Sequence, residues 1–176
     1  ADPNLICVAH NWKYDLTVLE MVGLTPQCQL ADTMLMSYVL DAAGSRHDMN
    51  TLAKKHLSMV TMAYEDVCGR GAKQVGFDKI TLDVACRYAA EDADVTLRLY
   101  DLFAPELETN AELNLVYSEL ELPVMRVLRK MENHGTLMDS AILQVQSAEL
   151  GKLLGALETQ AHELAGRPFN LASPKQ

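Results

Sequence analysis

The stretch Leu5-Ile6-Cys7-Val8-Ala9-His10-Asn11 is an apolar run closed by a polar pair, and Trp12-Lys13-Tyr14-Asp15 follows it directly. A short continuous apolar run bounded by polar residues reads as a strand buried in a parallel or mixed sheet. The helical pattern that follows, over 12–22, ends at Gly23. Leu30-Ala31 has the character of a second short strand, and Asp32 can cap a helix reaching Leu40, with Leu35, Tyr38 and Val39 on one side. This opening alternation of strand and helix makes the chain an α/β protein up to about residue 42.

Two carboxylates stand on helix faces that should be apolar. Taking 81–103 as one helix, Ala85, Tyr88, Asp92, Val95, Leu99 and Leu102 recur at three- and four-residue intervals, so Asp92 interrupts an apolar stripe. In 12–22, Asp15 heads a face shared with Val18, Leu19 and Val22. A buried carboxylate is costly unless paired or bound to a metal, so two of them suggest one polar site between two elements. The alternative is that each is a cap, or a half-exposed residue at the margin of its stripe.

The 176 residues are 49% hydrophobic and 22% charged, as in ordinary globular proteins, and no apolar run approaches the length of a membrane span. Four scattered cysteines, Cys7, Cys28, Cys68 and Cys86, form no Cys-x-x-Cys pair, which argues against a zinc site or disulfide framework and for a reducing cytoplasm. The net charge of −9 argues against a domain that coats nucleic acid by bulk charge. The charge is uneven, however: Arg46, Lys54, Lys55, Arg70, Lys73 and Lys79 fall within 46–79, whereas no Lys or Arg occurs between Arg98 and Arg126. A local basic surface of this kind is compatible with gripping a strand end, and equally with a solvated mixed surface.

The middle of the chain reads as helical. Asp48 can cap a helix over 49–57, Tyr64 to Val67 can form a helical turn, and Thr81 opens the long helix, which Pro105 is expected to close. Beyond about 115, Val116, Leu120, Val124, Val127 and Met131 space as an amphipathic helix bent at Pro123 and ended by Gly135. Asp139 then caps a last helix with Leu150, Leu153, Leu157, Ala161 and Leu164 as its stripe, closed by Gly166 and Pro168. The expected organisation is 1–107 as one domain, 108–136 as a connecting helix and 137–176 as the start of another.

Phosphodiester hydrolysis needs an activated water and neutralisation of charge on the scissile phosphate and leaving oxygen. Two divalent ions held about 4 Å apart can supply both, and Mg²⁺ or Mn²⁺ prefers carboxylate oxygen. Asp15 and Asp92 are ligands of this type, and Tyr88, one turn before Asp92 on the same face, can hold the attacking water.

Asn11-Trp12-Lys13-Tyr14-Asp15 resembles the second motif of proofreading 3′–5′ exonucleases, and Tyr88-x-x-x-Asp92 the third. Asp32-Thr33-Met34-Leu35, Gly44-Ser45-Arg46-His47-Asp48-Met49 and Tyr88-Ala89-Ala90-Glu91-Asp92-Ala93-Asp94-Val95-Thr96 narrow the resemblance to bacterial family A DNA polymerases. Leu120-Glu121-Leu122-Pro123-Val124 and Met131-Glu132-Asn133-His134-Gly135 are similar to that family's passage from exonuclease to polymerase, and Phe169-Asn170-Leu171-Ala172-Ser173-Pro174-Lys175-Gln176 to the start of its thumb. The resemblance implies a ribonuclease-H-like α/β fold, N-terminally truncated and helix-dominated, followed by a long-helix tail. It also implies Asp92 on the tighter metal, Asp15 on the second ion largely through water, and Tyr88 orienting the nucleophilic water. Asn11 and Arg46 would contact a single-stranded 3′ end, and Tyr64 would stack on its terminal nucleotides. His10 stands where the family often has Gln.

The family's first motif, an Asp-x-Glu on the first strand, is expected upstream of residue 1, with two of the four acids and the opening strands. The resemblance thus implies an internal stretch of a larger polymerase, cytoplasmic and close to the nucleoid, with the remaining polymerase domains as partners and negligible exonuclease activity alone. A strand at 5–9 without its neighbours would carry an open edge prone to self-association. The competing readings are an RNA-trimming exonuclease like ribonuclease D, and a non-catalytic relic that only supports a polymerase.

Overall fold

The computed structural model describes residues 2, 4–44 and 46–173; Ser45 and Pro174 to Gln176, which carry parts of the motifs above, lie outside the described residues. The chain forms two compact units, Ala1–His134 and Gly135–Gln176.

In the first unit, β1 (Ile6–Ala9) pairs in parallel with β2 (Gln29–Asp32), Ile6 opposite Gln29 and Ala9 opposite Asp32. Helix α1 (Trp12–Met21) makes the crossover, and α2 (Thr33–Leu40) follows β2 without a loop. Asp48 caps α3 (Met49–Leu52) by accepting the Thr51 N–H, and α3 widens into a π turn over Ala53–Leu57. After α4 (Tyr64–Cys68) comes α5 (Leu82–Thr109), the long helix. The core lies where α5 meets β1, α2 and α3, around Ala31, Met36, Leu52, Ala53, Val95, Leu99, Phe103 and Leu107.

Three details differ from the sequence pattern. Pro105 lies inside α5, which continues to Thr109. Proline removes one helical N–H and crowds the carbonyl four residues back, but the helix is held on both sides of it, because Phe103 and Leu107 are buried. The buried stripe of α5 runs through Val95, Leu99, Phe103 and Leu107, while Leu102 points outward. In α1 the expected face of Val18 and Val22 is exposed, and Trp12 is the residue that buries.

Asn110 caps α6 (Ala111–Leu115), which runs through a π turn at Val116–Glu121 into α7 (Leu122–His134). The wide turn immediately precedes Pro123, whose ring would otherwise meet the carbonyl of Glu119. In the second unit, Asp139 caps α8 (Ser140–Ala165) by accepting the Ala141 and Ile142 N–H groups, and Gly166 ends it in the left-handed conformation. Leu150, Leu153, Leu157 and Leu164 are exposed.

Candidate active site

The two acids singled out by the pattern meet at one place. Asp15, in the first turns of α1, and Asp92, midway along α5, line the same open groove of about 480 Å³ with Ala9, His10, Met49 and Thr96. Burial raises the pKa of both above the ordinary carboxylate value of 3.8. The charge of Asp32 adds to the effect at Asp15. At Asp92 the Tyr88 hydroxyl partly offsets it and Glu91 adds to it. Each acid is half-buried and lines the shared cleft, Asp92 beside the buried stripe of α5 and Asp15 on a face of α1 that is otherwise exposed at Val18 and Val22.

Tyr88 lies one turn before Asp92, and its hydroxyl pKa is pushed up to about 12, by burial first and by the Asp92 charge second. It therefore keeps its proton at neutral pH and can act as a donor or orienting group, not as a base. Its ring belongs to a cluster that the pattern only half revealed. Tyr64 meets it edge-on at 6.5 Å, Phe77 tilts against it at 5.8 Å, and Tyr64 and Phe77 stack at 6.4 Å. Phe77 had no periodic signal, because it comes from a single 3₁₀ turn, Phe77–Lys79.

Asp32 is the second residue whose weight the pattern understated. It is buried, and it does more than cap α2 through the Met34 and Leu35 N–H groups. Its carboxylate also accepts the backbone N–H of Asn11 at 3.1 Å and of Trp12 at 2.8 Å, so one side chain caps α2 and α1 together. Asn11 is thereby held at φ 76°, a left-handed conformation that asparagine tolerates. The Asn11 Oδ1 atom is buried without a hydrogen-bond partner among the described residues. Asn11 lines two clefts flanked by α1 and α7, not the groove of the two acids.

Arg46 is exposed, pairs with Asp48 at 3.2 Å, and does not line the groove. His10 anchors its loop: the His10 Nε2 donates to the His47 carbonyl at 3.0 Å, and Nδ1 meets the Thr33 hydroxyl at 2.8 Å. Among the described residues no group of three or more His, Cys, Asp or Glu side chains forms a metal cage. Two desolvated carboxylates are nevertheless a hard oxygen donor set that fits a divalent cation whose remaining ligands are water.

A carboxyl with a raised folded-state pKa contributes its stability below about pH 3.8 and loses it as pH rises through the folded value. At neutral pH the metal-free groove therefore carries a penalty. Asp92→Asn should raise the melting temperature at pH 7 by about 1–3 °C, with the gain vanishing below pH 3.8. Scanning calorimetry at both pH values checks this; a lower melting temperature at pH 7 would contradict it.

A parallel βα crossover thus brings two acids to one groove, with a protonated tyrosine beside Asp92. Residues 1–108 match the family described as 3′-5′ exonuclease, and the chain belongs to that family, in its bacterial DNA polymerase I branch. The DNA polymerase I of Pseudomonas aeruginosa is 47% identical over 178 residues, covering 99% of this chain and 19% of that protein. That of Rhizobium leguminosarum is 44% identical over 175 residues, covering 99% and 17%. A solved structure described as the POL domain of Pol1 from M. smegmatis, in complex with DNA primer-template and dNTP, is similar with a TM-score of 0.69. It is 26% identical and covers 100% of this chain and 27% of that one. The chain thus spans about a fifth of the length of its curated relatives.

Proposed function

We propose that this chain is part of a DNA polymerase I that extends primers and removes 3′-terminal nucleotides, with 1–107 from the exonuclease domain, 108–136 connecting and 137–176 opening the thumb. The observation that carries the reading is the convergence of Asp15 and Asp92 on one groove with Tyr88 facing Asp92. Asp92 and Asp15 would hold Mg²⁺ or Mn²⁺, two ions in the complete domain, which when bound supply charge neutralisation and an acidified water. The chain's own residues do the rest. Tyr88 holds a donor proton toward the water, and the rings of Tyr64 and Phe77 offer faces to frayed bases. Asn11 and Arg46, which do not line the groove, would contact the strand outside it.

Two acids provide only part of a two-ion site, so turnover by this chain alone is expected to be negligible. The remaining polymerase domains are its expected partners. The edge of β1 away from β2 carries no strand among the described residues, which makes it the expected site of pairing with another segment or of self-association. No helix is long and apolar enough to cross a membrane. A cytoplasmic place near the nucleoid belongs to the same reading, and the bacterial origin of the relatives is in keeping with it.

Titration of the ¹⁵N-labelled chain with a short single-stranded DNA and Mg²⁺ tests this. Resonances of Tyr64, Phe77 and Tyr88 should shift together, more strongly than with a blunt duplex or with RNA of the same sequence. Equal response to duplex, or stronger response to RNA, would overturn the DNA reading.

A further inference from the structure

We propose that Tyr117, outside the matched exonuclease residues, is a positioning residue for Asp15, acting through Asp32. The inference rests on the reading of Asp15 and Asp92 as a cation site. Tyr117 is buried in the π turn between α6 and α7, and its hydroxyl oxygen accepts the backbone N–H of Asp32 at 2.9 Å. Asp32 ends β2, and its carboxylate accepts the N–H groups of Asn11 and Trp12 at 3.1 and 2.8 Å. Asp15 follows Trp12 by less than one helical turn, so any shift in the head of α1 carries Asp15 with it.

The same segment grips α1 from outside. Arg129 pairs with Glu20, to which Asn133 also donates at 3.1 Å, and Lys13 pairs with Glu132 at 2.6 Å. The inner tie differs in being shielded from solvent. An exposed ion pair contributes little and yields to salt, whereas a buried N–H that loses its acceptor must move or remain unsatisfied.

The test uses the whole chain and Mn²⁺. Tyr117→Phe keeps the ring and removes the acceptor. It should weaken Mn²⁺ binding, read by electron paramagnetic resonance, about tenfold, and shift the Asn11, Trp12 and Asp32 amide resonances while far-ultraviolet circular dichroism is unchanged. Wild-type affinity with unmoved amides in the variant would overturn the proposal. A second measurement needs no variant: Mn²⁺ should slow hydrogen exchange at Asp32, Asn11 and Trp12 together, and unchanged exchange at Asp32 would also overturn it. Wild-type protein that binds no Mn²⁺ at the groove would instead refute the cation-site reading.

Discussion

Replacing Asp32 with alanine is expected to cost about 3–5 kcal/mol of stability, a large share of the 5–15 kcal/mol typical of a domain. The lost cap of α2 contributes about 1 kcal/mol, and the two further donors left without an acceptor, those of Asn11 and Trp12, about 1–2 kcal/mol each. Asp32 is 1% exposed and serves four backbone N–H groups, those of Asn11, Trp12, Met34 and Leu35. Water cannot readily replace it at Trp12. Asp32→Asn keeps one carbonyl oxygen but turns an NH₂ toward donors, so it should fall between wild type and alanine. Urea unfolding followed by circular dichroism gives the order; an alanine variant within 1 kcal/mol of wild type would mean that the junction of β1 and α1 is held by something else.

The second large effect is chemical. In the intact polymerase, alanine at the position of Asp92 should lower 3′-terminal excision by at least about 10³-fold. That corresponds to the several kcal/mol of charge stabilisation lost with a metal ligand. Primer extension should stay near wild type, because the change lies in the groove between α1 and α5. Alanine at Asp15 should cost less than alanine at Asp92, since the proposed contact there is largely through water. A gel assay of mismatched primers, with and without dNTP, separates excision from extension. Loss of both activities together would point to a folding defect and not to the site.

The strand–helix–strand opening and the capping aspartates were legible because their signals are local: apolar runs, turn residues and spacing. Asp92 was legible as an interruption of the stripe that buries Val95 and Leu99, whereas the face that Asp15 was expected to head is exposed at Val18 and Val22. What the pattern missed came from distance. Leu102 and Phe103 are adjacent and both apolar, and only the packing of α5 against its neighbours selects Phe103 for the interior. Pro105 is a helix breaker by local rule, yet buried Phe103 and Leu107 hold the helix across it. Asp32 reads as a cap for α2, whereas its second role depends on Asn11 and Trp12 lying beside it in space, 20 residues and more away in sequence. Phe77 joins Tyr64 and Tyr88 from an irregular segment that has no period to read. Arg46 shows the limit from the other side, since its loop is anchored by His10 while its own side chain stays in solvent, paired with Asp48.

The claim on which the functional account rests is that Asp15 and Asp92 form one cation site. Diffraction from crystals of this chain soaked in Mn²⁺, recorded near the manganese absorption edge, tests it most directly. An anomalous peak is expected in the groove within about 2.2 Å of an Asp92 carboxylate oxygen, with Asp15 bound to the same ion directly or through water. Peaks confined to other surface carboxylates, with none in coordination distance of Asp92, would contradict it.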